Sequence, residues 1–152
     1  MASSVGTTYS FKDLSGALES PAIGDPILFG GYNGIDQIVV TNDTQHGSKM
    51  VAADGTVMPV FTAGDGGTVQ ITCQQTSILH KALLVWLNVL KTQASNGDLS
   101  NWANSTMLLR NVVDGSSHLI QGLIPNKIPD KSYAAQGQNI VWTLEACSVT
   151  SL

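Results

Sequence analysis

The chain has 152 residues, a formal net charge of −4, 43% hydrophobic residues and only 12% charged ones. That is one domain with enough apolar residues for a core of its own, at roughly half the ~25% charged content usual in soluble domains. Seven basic residues against eleven acidic ones exclude a tight nucleic-acid binder, whose affinity comes from Lys and Arg on phosphates. The hydrophobic content likewise excludes a disordered chain. A surface so poor in charge repels its own copies weakly, so self-association is the first functional indication.

In chain order, Met1 to Gly6 shows neither a basic region nor an apolar stretch, so no secretory signal is expected and the protein is expected to be soluble and cytoplasmic. Residues 7–18, with Tyr9 and Phe11 against Ser10 and Lys12, read as a strand. Pro21, Gly24, Asp25 and Pro26 break the chain, and a short apolar run Ile27-Leu28-Phe29 ends at Gly30-Gly31. The β-branched stretch 35–41 predicts a strand, followed by a polar segment, a tight turn at Asp54-Gly55 and a further extended stretch, 56–61. After the Gly-rich turn 63–67, residues 68–75 alternate strictly, with Val69, Ile71 and Cys73 against Thr68, Gln70, Thr72 and Gln74.

Residues 77–94 predict the one helix, since Leu79, Leu83, Trp86 and Leu90 are spaced by four, three and four. Thr76 or Ser77 supplies the N-cap and Asn96-Gly97 the stop. Its longest apolar run, Ala82 to Leu87, is six residues, far short of the ~20 that span a bilayer, so no membrane insertion is expected. Segments 106–113 and 118–124 flank Asp114-Gly115 as a hairpin, Pro125 and Pro129 interrupt the chain, and 139–147 alternates again. The fold class is therefore mainly β, an antiparallel sandwich or barrel with one α-helix.

Catalytic and metal-binding patterns do not stand out. His46, His80 and His118 fall in three different elements, and His80 reads as a packing or hydrogen-bonding residue. Asp43, Asp54 and Asp65 recur every eleven residues without calcium-loop spacing, and the Gly-rich turn leads into a strand instead of the helix a phosphate loop needs. Cys73 and Cys147 lack metal or redox spacing and are expected as buried free thiols. No catalytic residue, metal or cofactor is assigned.

Six segments in order resemble one family. They are Ala52-Ala53-Asp54-Gly55-Thr56-Val57-Met58, Ala63-Gly64-Asp65-Gly66-Gly67 and Thr76-Ser77-Ile78-Leu79-His80-Lys81. The others are Asn96-Gly97-Asp98-Leu99-Ser100-Asn101-Trp102-Ala103, Arg110-Asn111-Val112-Val113-Asp114-Gly115-Ser116, and Pro129-Asp130-Lys131-Ser132-Tyr133-Ala134-Ala135-Gln136-Gly137-Gln138-Asn139. Together, across Tyr9 to Cys147, the chain resembles the tail tube proteins of contractile-tailed bacteriophages. The resemblance implies homohexameric rings stacked into a hollow tube, with strands of each subunit joining a shared β-barrel around the lumen and helices outward. It implies the contractile sheath, baseplate and tail terminator proteins as partners. Genome DNA would pass through without tight binding, in a virion tail assembled in the host cytoplasm.

Three residue sets become candidates under that resemblance. The polar segment 42–53 is the expected bridge to a neighbouring subunit, with Gln45, His46, Lys49 and Met50 as contacts. The helix stripe Lys81, Asn88 and Lys91 is the expected sheath-facing surface. Asp36, Thr68, Gln70, Thr72, Asn139, Thr143 and Glu145 are the expected lumen lining, although alternation alone does not say which way a face looks. Two rivals remain: the inner tube of a bacteriocin or secretion machine, and a carbohydrate-binding β-sandwich using Trp102, since Trp86 and Trp142 read as core.

Overall fold

The computed structural model describes residues 6–30 and 34–152, so the Met1–Val5 terminus and Gly31 lie outside the described residues. Ser10 caps a single 3-10 turn, Phe11–Asp13, its Oγ accepting from the Lys12 amide at 3.3 Å. The strand expected over 7–18 is corrected accordingly: β1 is Leu14–Glu19, because the Ser10 cap winds the chain before it can extend. It pairs with β2 (Ile27–Phe29) across the Pro-Gly loop.

Beyond β3 (Ile35–Asn42), the segment expected as a polar loop contains a strand, β4 (Gly47–Val51), joined through the Asp54-Gly55 turn to β5 (Val57–Phe61). These two form a separate two-stranded ribbon. Cross-strand pairing, which no local pattern reveals, makes β4 a strand despite Gly47 and Lys49.

The remaining elements follow the expected order: β6 (Gly67–Gln74), α1 (Ile78–Ser95), β7 (Ser105–Asn111), β8 (Ser117–Pro125) and β9 (Asn139–Ser151). Helix α1 begins where the Ser77 Oγ accepts the His80 amide at 3.1 Å. It ends in a Schellman turn: Gly97, at φ 87°, donates to the Ala94 carbonyl, and Asp98 donates to that of Gln93.

Among the described residues, seven strands form one antiparallel sheet in the order β2-β1-β7-β8-β9-β6-β3. The sheet curls. Ile38 and Val40 of β3 line the same cavity as Leu14 of β1 and Leu109 of β7, although four strands separate β3 from β1. The expected antiparallel β architecture with one helix thus takes the form of one curled sheet with α1 packed on its inner face. Leu79, Leu83, Trp86, Leu87 and Leu90 of the helix share a core with Val69, Ile71, Met107, Ile140, Trp142 and Leu144.

Alternation changes phase at one level of β8 and β9. Ile120 and Leu123 are both buried, as are their register partners Val149 and Ala146. Gly122 sits at this break with φ 67°, where β8 also bulges against β7, and an added Cβ there would lie 2.6 Å from Cys147 Cβ. Cys147 itself is exposed, which corrects the expectation of a buried thiol; Cys73 is buried. The alternation that puts Ala146 inside puts Cys147 outside.

Candidate functional site: a polar sheet face, a projecting ribbon and a helix stripe

The sheet face turned away from α1 gathers most of the predicted lumen residues. Thr68, Gln70 and Thr72 of β6 stand in register with Glu145, Thr143 and Val141 of β9, and Gln74 with Asn139. On the other side, Thr68, Gln70 and Thr72 pair with Thr41, Val39 and Gln37 of β3. None of these side chains is buried. Across these register pairs the face carries one charge, that of Glu145, and no cation. Asp36, exposed on the edge strand, is the extra residue of a β-bulge between Ile35 and Gln37 and so has no register partner on β6.

The bridge candidates divide over the ribbon and its approach. Gln45 donates through Nε2 to the Gly47 carbonyl at 3.0 Å. His46 shares a 2.8 Å hydrogen bond between Nδ1 and the Thr62 carbonyl and stacks on Phe61, so it ties the two ends of the ribbon. Lys49 and Met50 lie within β4 and point to opposite faces. Lys49 shares its face with the pair Val51–Val57 and with Phe61; Met50 pairs with Met58 on the other. Met50, Val51, Val57, Met58 and Phe61 are all exposed. Sequence reasoning found the segment but missed this apolar content, because it read residues 42–53 without the partner strand.

Lys81, Asn88 and Lys91 are all exposed along α1, as expected of a helix stripe. The same outer surface also exposes Ile78 and Val85.

The inner end of α1 is locked by polar contacts inside the core. Trp142 donates through Nε1 to His80 Nδ1, and Trp86 donates to Ser105 Oγ, each at 3.1 Å and buried. Burial, reinforced by the Lys131 charge, holds the His80 imidazole below its usual 6.5. Trp102 is half-buried against the core, so none of the three tryptophans forms an open sugar-stacking platform. Among the described residues no three of His, Cys, Asp or Glu converge as metal ligands would, and no helix is long and apolar enough to cross a membrane.

The described residues thus form a curled antiparallel sheet with one buttressing helix, a polar outer face and a projecting two-stranded ribbon. The sequence matches the family described as "Bacteriophage PhiTE tail tube protein" over residues 6–152, and the chain belongs to that family of tail tube proteins. Comparison with curated protein sequences finds no significant match.

Solved structures share the fold. A chain of the anti-feeding prophage (AFP) baseplate is 13% identical with a TM-score of 0.58, covering 97% of each chain. One of the PVC extracellular contractile injection system, in its sheath/tube terminator, is 10% identical with a TM-score of 0.59, over 98% of this chain and 99% of that one. A chain of the PVC sheath–tube complex is 9% identical with a TM-score of 0.57, over 95% and 91%.

Proposed function

We propose that this tail tube protein forms stacked homohexameric rings, with the polar face of β3, β6 and β9 lining the lumen and α1 on the outer wall toward a contractile sheath. The observation that carries this reading is that face: broad, polar, unburied, nearly uncharged and without a cation. DNA held by basic residues is retained through counterion release, whereas a neutral or acidic wall lets it slide. The net charge of −4 per chain, repeated around a ring, acts in the same direction. Asp36, on its bulge, belongs to the rim of this lining.

Sixfold symmetry is supported by the fold shared with a chain of the AFP baseplate, whose structure was sixfold symmetrised. The exposed apolar ribbon supports a subunit bridge through Gln45, His46, Lys49 and Met50, since an isolated two-stranded ribbon is marginal in water. Lys81, Asn88 and Lys91 are the sheath-facing set. Baseplate and tail terminator proteins would close the two ends of a virion tail assembled in the host cytoplasm. The contractile injection systems among the structural neighbours favour a second reading, a tube that delivers another cargo; capsid and terminase genes beside this one would argue for the phage tail.

Cryo-electron microscopy of assembled particles tests the arrangement. The expected reconstruction has six subunits per ring, α1 outside, and Gln70 and Thr143 on the lumen. A reconstruction with α1 lining the pore would overturn it.

A further inference from the structure

An apolar groove of about 620 Å³ runs between the loop after β1 and the first half of α1. Ile23 and Pro26 form one wall; Ile78, Ala82 and Val85 form the other. Ile78 is 75% exposed, so the side chains of the described residues leave the groove open. Asp25 is the single ionisable residue in its lining.

The ribbon carries a matching surface. On one face Lys49, the single cation of its two strands, is set among Val51, Val57 and Phe61, and Phe61 is 78% exposed. Among the described residues, the ribbon strands make their extensive contacts only with each other. The ribbon also leaves the sheet after β3, one edge of the strand order, whereas the groove borders β2, the opposite edge.

We infer that the groove receives the Lys49 face of the ribbon from a second copy of this chain, with Lys49 meeting Asp25 across the contact. The inference rests on the tube reading above and adds the surface on which the bridge lands. Apolar area on both sides supplies the attraction, and the one cation of the ribbon faces the one anion of the groove, which sets register. Two unlike surfaces at opposite edges make a head-to-tail contact, the kind that closes into rings or propagates along a tube.

The test uses the full chain with Cys147→Ser, leaving only the buried Cys73. Val57→Cys and Val85→Cys proteins are mixed, assembled and oxidised. Disulfide-linked dimers are expected from the mixture and not from either protein alone. In parallel, Lys49→Asp or Asp25→Lys is expected to raise the concentration needed for assembly at least about tenfold, and the two together to restore it. Tubes that form without the Val57–Val85 cross-link, or a double reversal that does not rescue, overturn the groove pairing and leave the tube reading standing. A wild-type chain that stays monomeric at every concentration overturns both.

Discussion

Trp142 on β9 donates its indole N–H to His80 Nδ1 in the first turn of α1, at 3.1 Å, with both rings buried and their centroids 5.8 Å apart. This bond joins the helix to the strand that carries part of the polar face, so the packing of α1 is tied to the orientation of Asn139, Thr143 and Glu145. It also fixes the imidazole as an acceptor at Nδ1, a role that a protonated ring cannot play.

Stability should therefore fall on mild acidification. The folded pKa of His80 lies below the unfolded value of 6.5, because burial and Lys131 oppose its charge. The unfolded chain then binds the proton more readily, so the His80 contribution is complete above about pH 6.5 and is lost as pH falls toward the folded pKa. Asp54, Asp98 and Asp114 are held below 3.8 by hydrogen bonds to Thr56, Ser100 and Ser116, and so titrate well below this window. Melting temperatures between pH 7.5 and 5 should decline for the wild type and far less for His80→Gln. An equal slope in the variant would place the proton uptake elsewhere.

Ser105→Ala removes the partner of the buried Trp86 indole N–H. An unsatisfied buried donor costs about 1–3 kcal/mol, and urea denaturation should register a loss in that range. An unchanged midpoint would mean that the indole finds another acceptor.

Gly122→Ala combines a left-handed backbone conformation with a Cβ pressed on Cys147. The expected cost is on the order of 1–3 kcal/mol, by the usual penalty for strained backbone positions. Gly55, which also has positive φ but open space around it, provides the comparison: Gly55→Ala should cost less. Equal losses would show that contact with Cys147 contributes nothing.

Charge on the two proposed surfaces should have separable effects. Gln70→Lys places a cation on the face opposite α1, and particles carrying it should retain DNA in a salt-sensitive way while still assembling. Lys81→Glu with Lys91→Glu should leave tubes intact and weaken recruitment of the sheath. Normal sheath assembly on that double variant would remove these lysines from the sheath contact.

Much of this was legible in the residues themselves. The four-three-four spacing of Leu79, Leu83, Trp86 and Leu90, with Ser77 before it and Asn96-Gly97 after it, locates α1 almost to the residue because helix signals are local. Period-2 alternation likewise assembled Thr68, Gln70 and Thr72 on one side, and Asn139, Thr143 and Glu145 on one side. The same alternation, followed one position further, would have put Cys147 outside. What stayed hidden depends on distant partners: β4 exists because β5 lies beside it, and the bulge at Asp36 shows only in the pairing of β3 with β6. The groove is formed by Ile23 and Pro26 meeting Ile78 and Val85, more than fifty residues away in sequence, and no periodicity announces such a meeting.

The most direct test of self-assembly is negative-stain electron microscopy of the purified chain at rising concentration and several salt conditions. Rings or hollow tubes of uniform diameter, increasing with concentration, are the predicted result. A chain that remains monodisperse and monomeric throughout would contradict the central claim that this fold is built to close on copies of itself.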